Sequence, residues 1–324
     1  MLAAGAAFVV LWLYPSDRYL LLPDKAHPLA AVVSFRNARP QTGPGGIYFL
    51  DVKERRASLL EDFFPSFRDA GASIVPASAV LAPGVSESES QKIDLSQMAR
   101  SQDVAAAVAL RTAGYRVAIR ATGALITQIG VGTPADGTLV PGEVIVSVDG
   151  RPVRTPNDAR RLLSAHRPGD VVRLGVRGLE GLRTVRVRTI PDPSDRTHPI
   201  VGVLLEQSAS ISLPFPVRIT TGDIGGPSAG LAFALEVLDK LGRDVDRGYK
   251  VAATGELFLD GSVGPIGGVR QKIFGARESH VDIFLVPAGE NAAVARANAG
   301  HVRVIAVESF QQALRALAAL PEKR

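Results

Sequence analysis

The segment Pro191-Asp192-Pro193-Ser194-Asp195-Arg196-Thr197-His198-Pro199 separates two textures that one repeating fold cannot accommodate. Its prolines fix φ and remove backbone donors, so neither a helix nor a central strand is expected to run through it. Upstream, short strands surround a single helix: Leu125 to Ile129, Val144 to Val148 closed by Asp149-Gly150, a helix over Asn157 to Leu163, and two more strands ending near Thr189. Downstream, strands alternate with helices from Ile200 onward, the pattern of a sheet covered by helices. The chain therefore reads as a multidomain protein of α/β and β type.

The first 114 residues carry less pattern. Met1 to Tyr14 has no charged residue and includes Phe8-Val9-Val10-Leu11-Trp12-Leu13. Fourteen helical residues reach roughly 21 Å, short of the roughly 30 Å of a bilayer core. Three readings stay open: an anchor whose start lies upstream, a cleaved export signal, or a buried first helix. The first two put the remaining chain outside the cytoplasm. Leu29 to Phe35 and Ile47 to Val52 read as strands, Ser86 to Gln91 as an exposed connection, and Leu95 to Ala113 as a helix with an apolar face at Met98, Val104 or Ala105, Val108 and Leu110, ended by Gly114.

Composition removes several classes of function. The absence of cysteine excludes thiolate metal sites, disulfides and a cysteine nucleophile. Ten arginines lie between Arg151 and Arg188, against Asp158, Asp170 and Glu180. They alternate with apolar residues in Thr184-Val185-Arg186-Val187-Arg188-Thr189, as on a strand with one wet face. No aromatic residues are interleaved with them, which argues against nucleic-acid binding. Gly130-Val131-Gly132-Thr133-Pro134-Ala135 satisfies a GxGxxG/A pattern, but Pro134 and Asp136-Gly137 interrupt the helix that a dinucleotide site needs.

The chemistry lies downstream. In Gly225-Gly226-Pro227-Ser228-Ala229-Gly230, the proline suits a first helical turn, and Leu231, Ala234, Leu235, Leu238 and Leu241 mark a helix face that stops at Gly242. Ser228 is thus expected at a helix N-terminus, where free N–H groups and the dipole favour a developing oxyanion. After Thr254-Gly255-Glu256 and Gly264-Pro265-Ile266-Gly267-Gly268, a second helix opens with Lys272 between Val269 and Ala276 on an apolar stripe. A lysine kept from water loses its proton near neutral pH and can activate a serine hydroxyl. The spacing Ser228 to Leu231 excludes the SxxK arrangement, and His27, His166, His198, His280 and His301 sit in loop or strand-end contexts.

Two resemblances follow. Leu139-Val140-Pro141-Gly142-Glu143-Val144-Ile145-Val146-Ser147-Val148-Asp149-Gly150-Arg151-Pro152-Val153, followed by a helix and Pro168-Gly169-Asp170-Val171-Val172, resembles a PDZ domain of the bacterial protease-associated kind. That family takes extended peptide ends as an added strand. By position, Thr122, Gly123, Ala124 and Leu125 would receive the terminal carboxylate, although they lack the usual Gly-aromatic alternation. The Gly-Pro-Ser-Ala-Gly, Thr-Gly-Glu and Gly-Pro-Ile-Gly-Gly motifs with Lys272, together with Phe284-Leu285-Val286-Pro287, resemble the proteolytic domain of the Lon family of serine proteases. This implies Ser228 as nucleophile, Lys272 as general base, the Ser228 N–H as an oxyanion donor, and Thr254 as the group that orients the lysine. Lon itself has an acidic residue where Gly225 stands; the nearest acid in sequence is Asp223.

The whole resembles the bacterial family that fuses a membrane anchor, a PDZ domain and a Lon-type protease. The expected organisation is an anchor and juxtamembrane segment at 1–24, a mixed α/β region at 25–114, a PDZ domain at 115–190, a linker at 191–199 and a Lon-type proteolytic domain at 200–324. No GxxxxGK[ST] occurs in the sequence, so the expected activity is an ATP-independent endopeptidase acting on unfolded or flexible extracytoplasmic proteins. No cofactor, metal or nucleic acid is expected; the partners are protein or peptide substrates, a membrane reached through the N-terminal segment, and, by analogy, further copies in a homo-oligomer. The rival is a PDZ scaffold whose Lon-like fold has lost activity.

Overall fold

In a computed structural model of the protein, the described residues are 11–41, 43–81 and 85–323. They group into two compact units: one joins the described residues within 11–80, 97–117 and 213–323, and the other joins those within 81–96 and 118–212. The first unit thus combines the N-terminal region with the expected proteolytic domain, and its second boundary falls after Ser212 rather than in the proline-rich segment. That segment closes on itself. Ile190–Pro191 pairs with Pro199–Ile200, and the carboxylates of Asp192 and Asp195 accept from the backbones of Ser194 and Thr197 at 2.8 and 3.0 Å. A loop whose polar groups are satisfied locally needs no boundary around it.

The anchor expectation falls mainly on residues 1–10, outside the described residues. Among the described residues no helix is long and apolar enough to cross a membrane. The expected juxtamembrane segment is a strand instead, β1 (Pro15–Pro23), buried at Ser16, Tyr19 and Leu20. After it come β2 (Gly46–Phe49) and β3 (Val52–Ser58). Helix α1 (Leu59–Phe63) is opened by a Ser58–Glu61 capping box, and β4 (Ser73–Pro76) follows. β1 lies between β3 and β4 in an antiparallel sheet. The expected strand over Leu29 to Phe35 shrinks to Val33–Ser34, which pairs with Arg218–Ile219.

Helix α2 spans Glu87–Thr112 and starts eight residues before its apolar pattern does. Ser86 is its cap rather than part of a connection. Its hydroxyl accepts from the Glu89 N–H at 3.3 Å, and the Glu89 carboxylate accepts from the Ser86 N–H at 3.0 Å. The second unit is a β-module of β5 (Ala118–Ile129), β6 (Val144–Val148), β7 (Val171–Gly178), β8 (Gly181–Arg188) and β9 (Val203–Ser212), in the order β8-β7-β6-β5-β9. Helix α3 (Pro156–Leu163), capped by Thr155, packs its Ala159, Leu162 and Leu163 into a core with Ile126, Ile145, Leu174 and Val187. On β8, Val185 and Val187 point inward while Arg186 and Arg188 are exposed, the alternation expected of a half-wet strand.

The chain then returns to the first unit with α4 (Gly230–Lys240), β10 (Lys250–Ala253), α5 (Val269–Glu278), β11 (Ile283–Pro287), α6 (Glu290–Ala297), β12 (Arg303–Val307) and α7 (Phe310–Ala318). β2, β10, β11 and β12 form a parallel sheet, edged by His27–Pro28 running antiparallel to β2. A strand from the N-terminal region is therefore a full member of the sheet that carries the motifs. Every residue of β11 is buried, as expected where helices cover both faces. Phe49 of β2 meets Phe233 of α4 at 6.0 Å between ring centroids. Leu50, Ala252, Phe284 and Val286 pack against Val269, Ile273 and Ala276 of α5.

Candidate active site

Ser228 lies in the turn just before α4, whose first residue is Gly230, and Pro227 stands outside the helix rather than in its first turn. Gly226 has φ +88°, a left-handed value that lets the turn reverse before the serine. Nearly all of α4 is buried, so the turn is mounted on a rigid element. Lys272 lies one turn into α5, its N–H bonded to the carbonyl of Gly268, the left-handed residue (φ +68°) that opens that helix. Val269 and Ala276 flank it on the core face, and Lys272 itself is only 3% exposed.

The two side chains meet. Lys272 Nζ is 2.6 Å from Ser228 Oγ and 3.1 Å from Thr254 Oγ1. Thr254, fully buried at the end of β10, donates its hydroxyl to the Ser228 carbonyl at 3.0 Å. That proton is therefore committed, and Thr254 Oγ1 can only accept from the lysine. In a neutral amine, one N–H directed to Thr254 leaves the lone pair free to face Ser228 Oγ–H. The Ser228 carbonyl also accepts from Gly255 N–H at 2.8 Å, and Gly255 returns its own carbonyl to Leu231 N–H at 3.2 Å. The Thr-Gly-Glu motif thus clamps the backbone on the C-terminal side of the serine.

Burial lowers the Lys272 pKa from its ordinary 10.5 to about 8, and the Asp51 carboxylate opposes that shift. Asp51 was not legible as part of the site, because it follows β2, 177 residues before Ser228 and 221 before Lys272. Its carboxylate accepts from or faces His27 Nε2 at 3.1 Å. Asp24, His27 and Asp51 offer ligand atoms within 4.8 Å of one another, but the Lys53 ammonium at 2.7 Å from Asp24 already supplies positive charge there.

The four residues expected to receive a carboxylate are placed differently. Thr122, Gly123, Ala124 and Leu125 lie in the middle of β5, not in a loop. Gly123, Ala124 and Leu125 face Ser208, Gln207 and Glu206 of β9, while Ala124 and Leu125 also face Ile145 and Val144 of β6. A strand paired on both sides has no edge to offer a peptide, which corrects the expectation. The edge beside α3 is β9, entered through Gly202 with φ +81°.

Comparison with known proteins agrees with this division. The model of the Lon protease (S16) C-terminal proteolytic domain matches residues 210–319, and the PDZ domain model matches residues 125–178. Lon protease 2 of Bacillus subtilis is 36% identical over 104 residues, covering 32% of this chain and 18% of that protein. Lon protease of Roseiflexus castenholzii is 32% identical over 145 residues, covering 44% of this chain and 16% of that protein. Lon protease 2 of Thermus thermophilus is 40% identical over 62 residues, covering 19% of this chain and 8% of that protein. The chain thus spans less than a fifth of the length of these curated relatives. It carries a PDZ domain and a domain homologous to the Lon C-terminal proteolytic domain.

Proposed function

We propose that the chain is a serine endopeptidase that needs no ATP, with Ser228 as nucleophile and Lys272 as general base. The observation that carries this is the 2.6 Å approach of Lys272 Nζ to Ser228 Oγ in a site that excludes water from the amine. A substrate carbonyl beside Ser228 is attacked by Oγ as Lys272 takes the hydroxyl proton. The oxyanion faces the Ser228 N–H at the head of α4. The Lys272 ammonium then gives its proton to the leaving amine, leaving an acyl ester on Ser228. Water, deprotonated by the same amine, attacks the ester, releases the acid and returns the proton to Ser228 Oγ. Thr254 holds the amine in line throughout.

The PDZ unit, in this reading, captures the extended end of a flexible substrate as a strand on β9, with Val203 and Leu205 packed on its core side. Covalent linkage to the protease keeps a captured chain at high effective concentration. The uncharged run Met1 to Tyr14 supports attachment to the cell membrane with the enzyme on its outer side, and further copies would assemble as a homo-oligomer. A fluorescent peptidyl phosphonate tests the central claim: it should label the wild-type protein and leave Ser228→Ala and Lys272→Ala unlabelled. Equal labelling of the Ser228→Ala protein would remove Ser228 as nucleophile.

A further inference from the structure

The Ser228 peptide bonds are held on both sides, and one of the holding groups lies far from every motif. Ser101 sits on α2 in register with Met98, Ala105 and Val108 of the buried face, and it is only 5% exposed. A serine within a helix usually donates back to the carbonyl one turn earlier. Ser101 Oγ instead donates to the Pro227 carbonyl at 3.0 Å. A Cβ at Gly230 would stand 2.8 Å from the same hydroxyl oxygen, so the last glycine of the Gly-Pro-Ser-Ala-Gly motif leaves room for this contact. Beside it, Gln102 Nε2 donates to Thr221 Oγ1 at 3.1 Å, holding the other end of the same loop.

The Pro227 carbonyl and the Ser228 N–H belong to one peptide plane and point in opposite directions. Fixing the carbonyl oxygen therefore fixes the direction of the N–H. A hydrogen bond at the oxygen also polarises the amide and strengthens its donor end. We propose that Ser101 is a positioning residue that aims the Ser228 amide at the substrate oxyanion. This rests on Ser228 being the nucleophile. The role is distinct from that of Thr254, which holds the next carbonyl and the lysine.

The test uses the full chain and a fluorogenic peptide. Removal of an oxyanion donor costs about 100- to 1,000-fold in kcat, and a donor left in place but misaimed should cost less. Ser101→Ala should therefore lower kcat by roughly tenfold to a hundredfold, leave KM within about twofold, and leave the rising limb of the pH profile where it is. Affinity for a peptide boronate, whose tetrahedral oxygen occupies the oxyanion position, should fall in proportion to kcat, while affinity for a product-like peptide stays unchanged. Ser101→Thr, which restores the hydroxyl, should recover most of the loss. Loss shared equally by KM and product-peptide binding would show a merely structural role, and kcat within twofold of wild type would overturn the proposal outright. If Ser101→Ala does not fold, Ser101→Cys keeps the volume with a weak donor and decides by the same split. A wild-type protein that the phosphonate does not label at Ser228 would instead overturn the nucleophile assignment itself.

Discussion

The two units use polar groups in opposite ways. In the protease unit the decisive groups are buried and saturated: Lys272, Thr254 and Ser101 are each out of water, and each bonds to the serine or to its flanking peptide bonds. In the PDZ unit the feature on which the proposed capture depends is the terminal strand of the sheet, β9, while the arginines of β8 face solvent. A site made of satisfied buried groups depends on individual side-chain atoms. A site made of a strand edge depends on backbone and tolerates many side chains. Substitutions should therefore act sharply in one unit and weakly in the other.

The largest effect belongs to the dyad. Ser228→Ala and Lys272→Ala should each reduce kcat/KM by roughly 10⁴-fold or more, measured by peptide hydrolysis with far-UV circular dichroism to confirm folding. With the amine titrating near 8, wild-type kcat/KM should climb about tenfold per pH unit below that point and level off above it. Asp51 favours the ammonium, so Asp51→Asn should move this limb to lower pH. A limb that stays in place would separate Asp51 from the base.

Stability should respond to the same amine in a higher pH window than activity does. The folded-state pKa of Lys272 is depressed, so below pH 8 the fold carries the whole cost of a buried ammonium. As pH rises from about 8 to the ordinary 10.5, the unfolded chain holds the proton and the folded one does not, and that cost is relieved. The interval corresponds to roughly 3 kcal/mol. Lys272→Met, which fills the same space without charge, should accordingly raise the urea midpoint at pH 7 while abolishing activity. An unchanged or lowered midpoint would mean that the amine is less desolvated than its burial indicates.

How much of this was legible in the sequence follows the same division. The dyad could be read because a lysine on an apolar helix stripe and a serine after Gly-Gly-Pro are chemically unusual. Thr254 followed from resemblance, and its geometry from the structure. Ser101 left a weaker trace: a serine in register with Met98 and Val108, indistinguishable in sequence from a tolerated small residue. Asp51 left none, because β2 reaches the sheet of β10 and β11 by long-range parallel pairing that no local pattern encodes. The N-terminal region looked separate for the same reason. In the PDZ unit the strands could be read but their order could not. Gly123-Ala124-Leu125 looks like a loop until β9 pairs with it, and β9 lies past the proline-rich segment that seemed to end the domain.

Strand order can be tested directly. A peptide with a free C-terminus, added to the full-length protein, should slow amide exchange at residues 203–212 and leave residues 122–125 unchanged. Protection centred on 122–125 would reverse the correction. The affinity expected for a short peptide held mainly by backbone bonds is of the order of micromolar, so exchange at several peptide concentrations is the suitable readout.

The smallest effects test the claim that the arginine-rich face is mostly solvated. Arg183 differs from its neighbours. Its Nε and Nη2 donate to Glu143 at 2.8 and 2.9 Å, and Nη2 also donates to the Thr138 carbonyl at 3.0 Å. The Glu143 side chain is only 8% exposed, so Arg183→Ala leaves a carboxylate with little water and no cation. Because the arginine itself is half exposed, the loss should stay near the lower end for a broken pair, about 1–2 kcal/mol. Arg186 stands exposed on the same strand, between the buried Val185 and Val187, and Arg186→Ala should change stability by less than about 0.5 kcal/mol. Thermal melts of the two single variants give the contrast. If both cost the same, the β8 face acts as a charge network rather than as one anchored arginine among solvated ones, and tolerance of side-chain change would no longer distinguish this unit from the protease.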